Sequence, residues 1–200
     1  MRLIQLGVKS PDIIRDAVQH GAGTARSAST PHHPANYAGM RMWAETLYAL
    51  ADQASPYGWR CESFKGVDMV TNHETGIAIL VTAGDGATGE PHYSPDALYE
   101  RPEMVRAIVS GALDTMWDAE RGRALKWQAW MLLHNRHAAA EGIIPAELSL
   151  PATITKDGHV LSWTERLLIS ADRPLDGDRQ LEATSPRTPA PVVQVRRRAS

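Results

Sequence analysis

The sequence predicts an α+β fold: a mostly antiparallel sheet of about five strands packed against about four helices. Three observations predict it. Two segments within the first 54 residues repeat apolar side chains at three- and four-residue intervals, as half-buried helices do. Three short strand-like runs follow between residues 59 and 83, joined by links too short for a crossover. Near the other end, Asp157-Gly158 sits between two apolar runs, the strongest short-range signal for a hairpin. The domain is expected over residues 1–170.

Leu3 to Leu6 reads as a short strand. Ser10-Pro11-Asp12 then opens a helix: Ser caps free N–H groups, Pro fits the first turn, and Asp suits the positive end of the dipole. Ile13, Ile14, Ala17 and Val18 give its apolar stripe, and Gly21 with Gly23 is expected to end it. Residues 24–35 read as loop. A second helix is expected from Asn36 to Ala54, burying Met40, Trp43, Leu47, Leu50 and Ala54, and Ser55-Pro56-Tyr57-Gly58 breaks it.

Trp59–Phe64, Val67–Thr71 and Ile77–Val81 are the three strands, with His73-Glu74-Thr75-Gly76 as a turn. The third lacks polar alternation, so both its faces should be covered. Helices are expected from Pro102 to Trp117, on the face of Val105, Ile108, Val109, Ala112, Leu113 and Met116, and from Arg123 to Glu141, ended by Gly142. Apolar residues surround most of the latter helix, which suggests burial on several sides. Leu148–Thr155 and His159–Ile169 form the hairpin, with Leu161, Trp163, Leu167 and Ile169 on one face and Glu165 as the exception. From 171 to 200, Pro, Asp, Arg, Ser and Thr dominate, and a disordered tail is expected.

Composition narrows the function. Net charge is −2, and the last thirty residues hold six Arg against four acidic groups, so the body is acidic. That disfavours a nucleic-acid surface over the whole domain. Cys61 is the only cysteine, which excludes an internal disulfide and a cysteine-based zinc cage. No signal-peptide pattern and no apolar run of membrane-helix length is read, so a soluble cytoplasmic protein is expected.

Three places carry candidate chemistry. The first is Gly84-Asp85-Gly86-Ala87-Thr88-Gly89, which follows an apolar strand with G-x-G-x-x-G spacing. Gly84, Asp85, Gly86, Thr88 and Gly89 are the candidate cofactor contacts, because glycine lets backbone N–H groups approach a phosphate. The turn looks like the first motif of Rossmann-type methyltransferases, which implies a nucleotide, dinucleotide or S-adenosylmethionine as ligand. Pro91 and Pro95 oppose the helix such a cradle needs, no acidic strand end follows about 20 residues later, and Glu90 stands where a P-loop needs lysine.

The second is His134, His137 and Glu141, spaced to share one face of the expected helix and so to hold a divalent metal. Trp127 and Trp130 fall on that face, and histidines hydrogen-bonded at a core rim are the plainer reading. His32, His33, His73 and His92 are among the further histidines that could complete a site. The third is Asp68, Asn72, His73 and Glu74. A helix followed by three strands with Asp on the middle one resembles the opening of restriction-endonuclease-like cores. That resemblance covers about a quarter of the chain and implies a metal-dependent cut, which needs Glu-x-Lys on the next strand. Leu80-Val81-Thr82 stands there instead, so Asn72, His73 and Glu74 read as turn residues.

No serine elbow is present, and Cys61 within a strand reads as a buried small hydrophobe. Arg196, Arg197 and Arg198 end the tail as a candidate contact for nucleic acid or an acidic partner. Each catalytic constellation lacks a part that its chemistry requires. The expected function is therefore non-enzymatic: binding to another macromolecule, either a protein partner or a second copy, with the tail assisting. No cofactor is specified. The alternatives are an enzyme using the Gly84–Gly89 turn, or a degenerate nuclease-like or metal-binding domain.

Overall fold

The computed structural model describes residues 2–97, 102–112, 126–138 and 143–169. Its framework is a six-stranded sheet in the order β1-β2-β3-β4-β5-β6: Trp59–Phe64, Val67–Asn72, Ile77–Ala83, Gln128–His134, Ala146–Ile154 and Val160–Ile169. The fold is α+β, but the sheet is mixed rather than mostly antiparallel. Two antiparallel three-stranded halves meet at a central parallel pair, β3 with β4, in register from Ile77↔Gln128 to Ala83↔His134. A parallel pair needs a long crossover, and residues 84–127 supply it.

The described residues form four α-helices: α1 (Arg2–Gln5), α2 (Pro11–Ala28), α3 (Tyr37–Ala54) and α4 (Pro102–Ala107), the last continued by a π-helical stretch, Ile108–Ala112. Three of them, α2, α3 and α4, answer to expected helices, while α1 stands where a strand was expected and, among the described residues, no α-helix replaces the one expected from Arg123. Leu3–Leu6 is a helical turn closed by Gly7, not a strand. The Val8 amide donates to the Leu3 carbonyl and the Gly7 amide to that of Ile4, with Gly7 at φ 89°, a left-handed helix stop. Leu3 and Val8 bury together beside it, as that motif favours.

Ser10 caps α2 as expected, its hydroxyl accepting from the Asp12 amide at 3.1 Å. The helix then runs through Gly21 and Gly23 to Ala28, so the expected stop is wrong. Gly21 serves packing instead. A Cβ there would lie 2.1 Å from Thr46 Oγ1 and 2.7 Å from the Met42 carbonyl, so its absence lets α2 and α3 approach closely. On α3, Met40 is exposed, and Met42, Thr46, Leu47, Ala49, Leu50 and Ala54 form the buried face.

The expected helix Arg123–Glu141 does not form where it is described, apart from a single 3-10 turn at Arg136–Ala138. The centre of the segment is β4, the middle of the sheet. Trp130 and Leu132 pack with α1, α2 and α3 on one face, alongside Val70, Ile79 and Val81. Ala129, Met131 and Leu133 pack with Val105 and Ile108 on the other, alongside Met69 and Leu80. An apolar run that seems to circle a helix is here a strand buried on both faces. β3 shows the same pattern, as expected. The helix after Pro102 is described only to Ala112, and residues 113–125 lie outside the described residues.

The β5–β6 hairpin forms with irregular register: Leu150 faces Glu165 and Pro151 faces Trp163, so Thr164 is an extra residue. That bulge reverses the side-chain alternation. Trp163 therefore joins the α4 side, while Leu167 and Ile169 join the α2–α3 side, against the single face expected. Glu165 loses its oddity too, since it pairs with Arg2 of α1 at 2.9 Å. Among the described residues, no helix is long and apolar enough to cross a membrane.

Candidate functional site

The glycine turn leaves β3 at the carboxyl end of the parallel pair, where open sheets commonly place ligands. Its amides are occupied from within. Gly84 N–H donates to the His134 carbonyl, Asp85 to Asp96, Thr88 to Asp85 and Glu90 to Ala87. Ala87 N–H donates to the Asp85 carboxylate, and Gly89 N–H to the Glu147 carboxylate, both at 2.9 Å. Six of the seven amides from Gly84 to Glu90 are thus spent inside the protein. The glycines serve the turn itself. A Cβ on Gly84 would meet Thr88 Oγ1 at 2.1 Å, and Gly89 holds φ 80° against Pro145. Residues 84–97 run as turns and bends without a helix.

A buried ion pair fastens this segment to the far half of the sheet. Glu147 is fully buried and Arg166 nearly so. Arg166 donates from Nε to Glu147 Oε1 at 2.9 Å and from Nη2 to Oε2 at 2.5 Å. It also donates to the carbonyls of Tyr93 (2.7 Å) and Glu90 (3.1 Å), while Ser149 donates to Glu147 at 2.6 Å. Trp163 Nε1 holds the Pro95 carbonyl, and His159 meets Asp96 at 3.0 Å. Charges satisfied this fully act as a clamp. Sequence reasoning missed the pair. The available signal was a charged residue at equivalent depth in each hairpin strand.

With β4 a strand, the helical spacing of His134, His137 and Glu141 no longer exists. His134 ends β4 on the α2–α3 side, His137 is exposed in the turn Arg136–Ala138, and Glu141 lies outside the described residues. Among the described residues, no group of three His, Cys, Asp or Glu side chains is arranged to hold a metal ion. His134 is 3% exposed, and among the described residues neither ring nitrogen has a hydrogen-bond partner. Burial, and then the charge of Arg136, push its pKa down to about 4, so the ring stays neutral.

Asn72 is a turn residue, as expected. Its Oδ1 accepts from the amides of Glu74 and Thr75, and its amide group donates to the Tyr57 carbonyl. His73 does more. It meets Glu62 of β1 at 2.7 Å and stands edge-on to Trp127, while Thr71 donates to the same Glu62 oxygen at 2.7 Å. Burial works to raise the Glu62 pKa, but these hydrogen bonds and the charges of His73 and Arg60 outweigh it and hold it below the usual value. Asp68, near the opposite end of β2, faces Ser63 and does not join them.

Cys61 lies in a strand, as expected, but is exposed rather than buried. Partial burial, then the charges of Asp68 and Glu62, raise its thiol pKa, which disfavours a nucleophilic thiolate. It lines a groove of about 410 Å³ between α3 and β1, with Ala44, Leu47, Tyr48, Ala51 and Trp59. Among the described residues β1 pairs only with β2, so its other edge carries unpaired backbone groups beside this groove. Arg196, Arg197 and Arg198 lie outside the described residues. No protein-family model, no curated protein and no solved structure matches this chain.

Proposed function

We propose that this protein is a non-enzymatic binding protein that takes an extended segment of another protein along β1. The observation that carries this reading is the juxtaposition of an unpaired strand edge and an apolar groove. An edge strand offers N–H and C=O groups to an added strand, which gives affinity without sequence preference. A pocket beside it then selects a side chain. Here the groove walls of Leu47, Ala51 and Trp59 suit an apolar residue, with the exposed Tyr48 ring at the rim. Arg60, exposed on β1 and lining the groove, would read a negative charge beside it. The terminal arginines would extend the contact.

The internal use of the glycine-turn amides weighs against the rival reading, an enzyme with a nucleotide or S-adenosylmethionine held there. The experiment uses Cys61, the one cysteine, as a handle. A photo-crosslinker attached to Cys61 should trap, in extract of the native host, a partner whose crosslinked residue lies in an extended segment. Ala44→Arg fills the groove from an exposed helix position and should abolish trapping while leaving the fold intact. Trapping that Ala44→Arg does not reduce, or partners crosslinked only through helices, would contradict the proposal.

A further inference from the structure

A second region has a chemistry that the groove does not explain. Arg136, just beyond β4, carries its guanidinium to the first turn of α3. A Cβ on Gly39 would lie 3.3 Å from Arg136 Nη1, and that nitrogen is buried with no hydrogen-bond partner. In the first turn of the 18-residue α3 the Tyr37 and Met40 amides donate to the Pro34 and Asn36 carbonyls, which leaves those of Ala38 and Gly39 to carry the partial positive charge of the helix start. It contains no acidic side chain, and Asn36 at its start makes no side-chain cap. Two positive groups therefore face each other without a counter-charge from either element.

His134 supplies the independent observation. Strand alternation continues from Trp130 and Leu132, so its ring points to the α3 side of the sheet, two residues before Arg136. It is more than nine-tenths buried, and both its nitrogens lack partners, although buried polar groups are nearly always satisfied. An unpaired guanidinium nitrogen at the α3 start and, two residues earlier in the chain, unpaired imidazole nitrogens on the same face of the sheet thus lie at the carboxyl end of the parallel pair, near enough for the Arg136 charge to act on the ring. Each is completed by the same object, a small oxyanion.

We infer that Arg136, the amides of Ala38 and Gly39, and the His134 ring form a binding site for a phosphate group. Arg136 Nε already donates to His137 Nε2 at 3.1 Å, so its two Nη nitrogens supply the fork that, with the helix amides, matches tetrahedral oxygens, and a helix N-terminus is a ready anion site. Neutral His134 would donate one hydrogen bond from beneath. Tyr37, the first residue of α3, stacks on His33 with centroids 3.9 Å apart, placing an aromatic face beside the same turn. The site is separate from the β1 groove, so the two inferences fail independently.

The test is thermal shift and titration calorimetry of the full chain with inorganic phosphate, against chloride at equal ionic strength. Phosphate should stabilise the wild type. Arg136→Gln should remove the effect, and Arg136→Lys, which keeps charge but loses the fork, should weaken binding by about tenfold. Gly39→Ala guards against a folding artefact. A methyl group there favours the helix but crowds the guanidinium, so stability should hold or rise while phosphate affinity falls by about tenfold. A parallel arm uses adenosine monophosphate. Tighter binding than phosphate assigns the group to a nucleotide-type ligand, and equal binding assigns it to the free anion. No response beyond chloride in either arm, or a response that survives Arg136→Gln or Gly39→Ala, overturns the site.

Discussion

Lowering the pH should destabilise this protein in part through His134, by an amount that follows from its depressed pKa. The imidazole has an ordinary value of 6.5 and a folded value of about 4, set first by burial and then by Arg136. Between those values the unfolded chain binds a proton that the folded chain does not. Stability is therefore complete above about pH 6.5 and falls as pH drops toward 4. The difference converts to about 3 kcal/mol in full, and to about 2 kcal/mol between roughly pH 7.5 and pH 5. The assay is urea unfolding of the wild type and His134→Leu across that range. Other groups titrate in both proteins, so the difference between the two curves isolates His134. The wild type should lose about 2 kcal/mol more than the variant. Parallel curves would refute the reasoning and mean that the ring is solvated or paired in the folded protein.

Three more tests address packing. Arg166→Met leaves the Glu147 carboxylate buried without its partner and should cost about 3–5 kcal/mol in denaturant unfolding, with Arg166→Met/Glu147→Leu recovering much of it; equal losses would mean that the pair is not coupled. Gly21→Ala drives a methyl group into Thr46 and Met42 and should cost about 1–3 kcal/mol, whereas Gly23→Ala meets nothing within 4 Å and should gain about 0.5–1 kcal/mol; similar thermal shifts for both would contradict the helix–helix contact. The buried Thr88 hydroxyl has no hydrogen-bond partner, so Thr88→Val should be neutral or stabilising by calorimetry, and a loss above about 2 kcal/mol would show a partner for that hydroxyl.

The legible parts of the fold were those with local chemistry. Ser10-Pro11-Asp12 and Asp157-Gly158 announce a cap and a turn by groups that act within four residues. The β1–β2–β3 run was readable because each link is shorter than a crossover. Leu6-Gly7-Val8 was also readable in principle, since a glycine between apolar residues marks a left-handed helix stop, but the mostly apolar run Leu3-Ile4-Gln5-Leu6 suits a strand equally well. The central strand was not legible. Ala, Trp, Met and Leu at 129–133 favour helix by propensity, and only two covered faces make them a strand. Misreading β4 also built the His134–His137–Glu141 constellation, because that spacing converges only on a helix. Gly21 and Gly84 are there for closeness to partners distant in sequence or across a turn, which no window around a glycine reveals. The Thr164 bulge, which turns Glu165 toward Arg2, is a property of the pairing rather than of either strand.

The open edge of β1 is tested most directly by backbone amide exchange. Peptides selected from a random display library on the wild type, with counter-selection on Ala44→Arg, supply the ligand. On binding, amide exchange should slow along Trp59–Phe64 and along α3 beside Tyr48, with the rest of the sheet unchanged and no protection in Ala44→Arg. Selected peptides that bind equally to Ala44→Arg, or that leave exchange along β1 as it was, would contradict strand addition at this edge.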